Sequence, residues 1–424
     1  MIAIGVVALF LGLVALGFPV FVAMGIAGLS GAWLLGNADG LFQHAALGLY
    51  QTFAQYELIA VPLYIPVGTL MERARLSDGL FLFARVWFGQ VRGGLGVATV
   101  AACALFAAIS GSSVATAATI GVVALPALNA RGYKPEFSGA VVAAGGTLGI
   151  LIPPSIPMIV FGIITEQSIS ALFMSGVVPG LLLAAAFAVY TSLSSRIAPE
   201  LAALSLKERL EASWAAAPAV LLPILIFVAI YSGLATPTEV AALAVAYVLV
   251  VGFAQGTLDR KGAWAASLAA ARTTVMIFLL VGFGRIFTEF FTLTALPQQA
   301  TQLVVGSGLP AGVVLTILIV VLLVLGMFLE ALSMLLVTVP ILFPVVKALG
   351  MDPLAFGVFM VLAVELALIT PPVGINLFTI CTIGSVDFAR ISRTILPFVA
   401  ILVAMMYLVF YVPQVATWLP RSMH

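Results

Sequence analysis

Residues 110–113 read Ser-Gly-Ser-Ser in the middle of a nearly uncharged stretch, 94 to 129. Serine hydroxyls and the carbonyls exposed at a helix break are hard oxygen donors, suited to a cation such as sodium. The helix that starts after such a break offers N–H groups and a positive dipole to a carboxylate. One short motif can therefore face both kinds of ion. A second apolar stretch is interrupted by Gly326-Met327-Phe328-Leu329-Glu330, with Gly326 lying 215 positions after Gly111. Two Pro-Pro steps, Pro153-Pro154 and Pro371-Pro372, lie 218 positions apart inside other apolar runs. Each removes two backbone donors and disfavours helix at the residue before it. Each therefore predicts a helix broken at bilayer depth, which is tolerated only where the backbone is buried in protein or lines a wet cavity. Discontinuous helices of this kind build the ion and substrate sites of many transporters.

Composition sets the class in which this chemistry would operate. Hydrophobic residues make up 63% of the chain and charged residues 8%, against roughly 25% charged in a soluble domain. An all-α polytopic membrane protein is expected. A net charge of +1 without a basic stripe argues against a nucleic-acid partner. Cys103 and Cys381 both sit in apolar runs, which leaves neither a disulfide framework nor a thiolate metal site. His44 and His424 lie outside the hydrophobic spans, so an intramembrane serine hydrolase would have no base and no enzyme activity is expected. No Walker A loop is present for direct coupling to ATP hydrolysis. The N-terminus is apolar from Ile2 onward, without a basic leader or cleavage site, and reads as a retained first helix.

The landmarks repeat. Pro19 in Gly-Phe-Pro has a counterpart at Pro237, 218 residues later, and Glu72 has one at Glu289, 217 residues later. With the hairpin breaks and the Pro-Pro steps, four landmarks keep one order and nearly one offset, which points to an internal duplication. The halves are expected at 1–212 and 213–424. Each would hold a re-entrant helical hairpin, 94–129 and 313–346, whose arms are too short to span roughly 30 Å of hydrocarbon. Each would also hold a Pro-Pro-broken transmembrane helix, 137–165 and 354–384. Arg85 and Arg92 precede the first hairpin and Arg131 and Lys134 follow it, so both its ends are expected in the cytoplasm. Carried along the chain, this alternation places 14 of 17 basic residues on one face, the exceptions being Arg285, Lys347 and Arg421. It puts both termini in the periplasm and gives the halves opposite orientation, an inverted-topology repeat. Segments 38–56, 73–92, 200–214 and 260–273 carry mixed charge and read as helices on the membrane surface.

A carboxylate at the centre of a membrane helix costs about 2.5–3.5 kcal/mol on insertion scales. Glu330 and Glu365 therefore need a reason, either function or a neighbouring polar group. Arg285 and Glu289, four apart on one helix face, read as a structural ion pair, with a substrate clamp as the alternative.

The motif at 110–113, GGTLGILIPPS at 145–155, LATPTE at 234–239, GMFLE at 326–330 and TPPVGIN at 370–376 together resemble the large membrane subunit of tripartite ATP-independent periplasmic (TRAP) transporters, of the DctM or SiaM type. The resemblance covers nearly the whole chain. It implies an elevator-type, sodium-driven secondary importer of organic acids in the bacterial inner membrane, with at least two sodium ions and no organic cofactor. It also implies two protein partners, a small membrane subunit of the DctQ/SiaQ type and a periplasmic binding protein of the DctP/SiaP type. The chain starts at the first helix of the large subunit, so the small subunit is expected as a separate chain. A self-sufficient sodium–carboxylate symporter of similar two-hairpin architecture is the alternative. By the family's pattern a first sodium site falls to Ser110 and Ser113 with backbone from Gly149, Ile152 and Pro154. By the repeat a second falls to Gly326, Thr370 and Val373. Substrate contacts are expected from Ser112, Thr116, Ser155 and Asn376, with Thr116 facing the same cavity as the tip, one helical turn on. The outer helices near 20–36, 172–195, 238–254 and 394–412 are expected to form a stationary frame.

Overall fold

The computed structural model describes residues 2–36, 38–76, 78–195 and 205–423, with the backbone but not the side chains of 38–45. Arg196, the first residues of segment 200–214, the His44 side chain and His424 lie outside the described residues. Within them the chain is helical, with no strand. Six helices are individually long and apolar enough to cross a membrane.

Helices start where the sequence supplies an acceptor for free N–H groups. Ser205 and Thr236 close capping boxes with Glu208 and Glu239, and Asp259, Asp352 and Asp387 each accept from a first-turn N–H. The first hairpin is Gly94–Ser110 and Ser113–Ala130, and the second is Ala311–Gly326 and Ala331–Ala348. Both second arms run 18 residues, about 27 Å, and pass as spans by length and composition. The helix continues through Pro126 in one and through Pro340 and Pro344 in the other. The Pro-Pro segments interrupt Pro135–Thr147 and Ile156–Thr165 in one helix and Pro353–Ile369 and Ile375–Gly384 in the other. Both Pro-Pro peptide bonds are cis.

Segments 38–56 and 73–92 form the separate helices Ala38–Phe53 and Asp78–Phe88. The other two expected surface helices do not exist as separate elements. Residues 260–273 are the first turns of a 34-residue helix, Arg260–Leu293, and residues 206–214 begin Leu206–Tyr231. In Arg260–Leu293 no proline separates the charged start from the apolar remainder, and Leu206–Tyr231 runs on through Pro218 and Pro223. At about 1.5 Å per residue the longer helix reaches about 51 Å, so it crosses the hydrocarbon and still projects its charged turns beyond it.

Arg260–Leu293 is the axis of a frame. It packs on Val20–Leu34 and Ala60–Arg73, and Ala60–Arg73 packs in turn on Pro237–Ala254. The contact with Val20–Leu34 is close because glycines recur every third residue: Gly25, Gly28 and Gly31 face Phe283, Phe287 and Phe290, and a Cβ on Gly28 would stand 3.1 Å from Phe287 Cα. Small residues of this kind let membrane helices approach without a hydrophobic driving force. Ile169–Ser194 and Leu396–Tyr411 do not join this frame as expected. They pack on each other, with Phe187 and Phe398 rings 5.3 Å apart, and on Pro353–Ile369. A uniformly apolar helix shows no face in sequence, which is why the grouping was hidden.

The hairpins and broken helices interlock between the halves. The second arm of the first hairpin packs on Ile375–Gly384, and the second arm of the second hairpin packs on Ile156–Thr165, where Phe161 and Phe343 meet edge to face at 6.2 Å. Each hairpin thus leans on the other half's broken helix.

Candidate functional site

The tip of the first hairpin is fixed by local chemistry. Ser110 ends the first arm, and Gly111 reverses the chain at φ +60°, a conformation that only glycine adopts without strain. Ser112 caps the second arm by accepting from the Ala115 N–H at 3.4 Å. Thr116 donates to the Ser112 carbonyl at 2.7 Å and lies 2.8 Å from Ser110 Oγ. With the threonine proton committed to that carbonyl, Ser110 can donate to Thr116, and it also accepts from the Ser112 N–H at 3.4 Å, which leaves it one lone pair.

The break in the first broken helix lies against this tip. A Cβ on Gly111 would stand 2.8 Å from the Pro154 carbonyl oxygen, and one on Gly149 would stand 2.5 Å from the Ser112 oxygen and 2.6 Å from Thr116 Oγ1. Only a residue without a side chain fits at Gly149. Asn376, at the start of the other broken helix, reaches across from the second half: its Nδ2 donates to Ser113 Oγ at 2.8 Å and to the Ala143 carbonyl at 3.3 Å. Its Oδ1 is buried without a hydrogen-bond partner. Ser110, Ser112, Ser113, Thr116, Gly149, Pro154 and Asn376 therefore form one cluster of oxygen donors. The Ile152 side chain points elsewhere, into an apolar cavity it shares with Pro153 and Met174. The Ser155 hydroxyl is spent on bridging the break, donating to the Ile150 carbonyl before it and accepting from Met158 N–H after it.

The second tip is built differently. Gly326 packs on Ala367, where a Cβ would overlap the alanine methyl, and Thr370 turns its hydroxyl back onto the Leu366 carbonyl. Gly326 thus sits one turn below Thr370 on the neighbouring helix, and the structure gives Val373 no polar side-chain role. The residue in the N-cap position of the second arm is Glu330, 218 positions after the N-cap Ser112. That is the spacing of the Pro-Pro steps, so pairing Gly326 with Gly111 had slipped by three. Under this register the hydroxyls of the first tip are met by Phe328, Glu330 and Ala331. Glu330 accepts from Ser333 Oγ at 3.3 Å, and its equivalence to a cap residue was readable from the 218 spacing.

Both tips open on one cavity of about 210 Å³, lined by Ser112, Ser113 and Glu330, by Ile156 and Ile375 at the two helix breaks, and by Thr273 of the long frame helix. Thr116, Ser155 and Asn376 lie behind its wall and are fully buried. Glu365 lies outside it as well, buried in Pro353–Ile369 with neither carboxyl oxygen hydrogen-bonded.

The fold is similar to that of the Alcanivorax borkumensis YdaH transporter, with a TM-score of 0.65 over 91% of this chain and 90% of that one at 14% identity. The chain is 37% identical to the C4-dicarboxylate TRAP transporter large permease protein DctM of Pseudomonas aeruginosa over 93% of both chains. It is 35% identical, over 97% of its length, to the isethionate TRAP transporter permease protein DctMQ of Oleidesulfovibrio alaskensis, of which it spans 65%. Other large permease relatives are named for sialic acid and ectoine. Residues 7–415 match the family described as tripartite ATP-independent periplasmic transporter, DctM component. The chain is a member of that family, the large permease component of TRAP transporters, and not an enzyme.

Proposed function

We propose that this chain couples sodium entry to import of an organic acid across the bacterial inner membrane. The observation that carries this reading is the shared cavity of about 210 Å³, which Ser112 and Ser113 of one tip and Glu330 of the other line together. An organic acid held at the serine tip would stand close to Glu330. Two like charges about 5 Å apart repel by about 3 kcal/mol at an effective dielectric near 20. Sodium ions bound between or beside them remove that penalty, so acid and cation bind better together than apart. The oxygen donors for the first ion are the Ser110 and Ser113 hydroxyls, the carbonyls of Gly149, Ile152 and Pro154, and the unpartnered Asn376 Oδ1. A second ion falls to the Gly326 and Val373 carbonyls and Thr370, with Glu330 nearby. Ser112 and the free N–H groups of the first hairpin's second arm supply the acid's contacts.

The hairpins and broken helices would move as one body past the frame around Arg260–Leu293, an elevator motion, with both termini in the periplasm. A small membrane subunit of the DctQ type would pack on that frame, and a periplasmic binding protein of the DctP type would deliver the acid. The relatives' names support acids ranging from C4-dicarboxylates to sialic acid as cargo.

Drop-out reconstitution tests the reading. Proteoliposomes are prepared with this chain alone, with the small subunit, and with both the small subunit and the loaded binding protein. Sodium-driven uptake is expected only in the last. Uptake by the chain alone would instead make it a self-sufficient symporter.

A further inference from the structure

The long frame helix lines a second cavity, of about 350 Å³, apart from the one at the hairpin tips. Thr273 and Ile277 line the first, and Val281, Arg285, Thr288 and Thr292 line the second. These positions step by four, four, four, three and four, so they form one stripe along Arg260–Leu293. The facing walls are also shared. Ile156–Thr165 and Ala331–Ala348 contribute their first residues to the tip cavity and their later turns, Thr165 and Phe343 among them, to the second. Eight residues separate Ile277 from Arg285, about 12 Å along the axis.

Arg285 is the one basic residue among the described lining residues of the second cavity. Its guanidinium is loosely engaged: Nη2 lies 3.8 Å from Glu289 Oε2, and the arginine side chain is nearly half exposed. That separation is longer than a hydrogen bond. The side chain runs over Gly48 of the helix Ala38–Phe53, where a Cβ would come within 3.1 Å of Arg285 Nε. Gln51 of the same helix and Gln55 just past its end add amide donors to the cavity, and Glu166, on the facing wall, adds a carboxylate.

We propose that this second cavity binds the carboxylate of an organic acid, anchored by Arg285 and oriented by Gln51 and Gln55. The inference rests on the reading that the cargo is an organic acid, and it adds a second station for that cargo on the frame. A carboxylate accepts two parallel N–H bonds from a guanidinium, a geometry the 3.8 Å contact to Glu289 does not provide. Glu166 lines the same cavity and Glu289 lies beside Arg285, so an acid held there must take the guanidinium face turned away from Glu289.

A thiol placed at Thr288 reports on the site without requiring transport. The purified full chain carrying Thr288→Cys is treated with the anionic sulfonatoethyl or the cationic trimethylammonium-ethyl methanethiosulfonate, and the parent chain gives the background from Cys103 and Cys381. Arg285→Gln should lower the anionic-to-cationic rate ratio about tenfold, whereas Arg285→Lys should keep most of it. Millimolar succinate or pyruvate should slow the anionic reaction at least threefold with Arg285 present and leave it unchanged in Arg285→Gln. A ratio insensitive to Arg285→Gln overturns the proposal, as does protection by neither acid or by inorganic phosphate alone. Loss of sodium-driven uptake in the unaltered complex would sink the importer reading by itself. Intact uptake with no acid protection would sink only this site.

Discussion

Asn376 donates to Ser113 Oγ across 2.8 Å, tying the second half's broken helix to the first half's hairpin tip. Neither residue is near the other in sequence, and the amide oxygen left over is buried without a partner. This one contact would make the proposed first cation site a joint product of both halves, so a change in either should be felt in the same measurement.

Asn376→Ala should raise the sodium concentration for half-maximal uptake about tenfold. Losing a buried polar contact costs about 1–3 kcal/mol, and about 1.4 kcal/mol is a tenfold change in affinity. Asn376→Asp, which keeps an oxygen, should fall between. Initial uptake rates against sodium concentration read this directly, and identical curves for all three proteins would remove Asn376 from the site.

Ser110→Ala and Ser113→Ala should weaken apparent sodium affinity while the protein stays monodisperse at normal abundance, since neither hydroxyl caps a helix. Ser112 is the cap, and Ser112→Ala should cost about 0.5–2 kcal/mol of stability. Thermal unfolding followed by gel filtration separates the two behaviours. Destabilisation by Ser110→Ala with unaltered sodium curves would make that serine structural. Thr370→Ala, if Thr370 serves the second ion, should behave like Ser110→Ala.

Glu330→Gln replaces the acidic group of the shared cavity with a neutral amide. Acid binding should then depend less on sodium: the ratio of apparent acid affinities at high and low sodium should shrink at least fivefold. An unchanged ratio would mean that Glu330 does not take part in coupling.

Gly149→Ala should separate the tip from the break, because the added methyl would meet the Ser112 carbonyl and Thr116. Overpacking of this kind costs about 1–3 kcal/mol. Uptake should drop at least tenfold, with a smaller effect on yield, and full activity would show that the tip and break need not touch.

Much of this was legible because it is decided locally. Two adjacent prolines remove two neighbouring backbone donors and break the helix at 153–154 and 371–372, and Gly111 marks a left-handed turn, so the positions of the hairpins and broken helices followed from residue type. The second tip was harder to place, since its apolar Met-Phe-Leu run offers no hydroxyl to align and the glycine at 326 drew the register three residues off. The Asn376–Ser113 contact spans the two halves and leaves no periodic trace. The fusion of 260–273 into a 34-residue helix escaped notice because charge marks where a helix leaves the membrane, and says nothing of where the helix ends. Thr116 was expected to face the cavity, yet its hydroxyl is drawn behind the tip by the Ser112 carbonyl.

The central claim is that sodium drives the acid inward. The measurement closest to it is initial acid uptake by proteoliposomes holding this chain, the small subunit and the loaded binding protein, under imposed sodium gradients and a set membrane potential. With two or more sodium ions per acid, uptake should rise with a Hill coefficient above one. It should also speed up when the interior is made negative, since each net charge moved through 100 mV supplies about 2.3 kcal/mol. Uptake that persists unchanged when potassium replaces sodium, with a proton gradient left in place, would contradict the account.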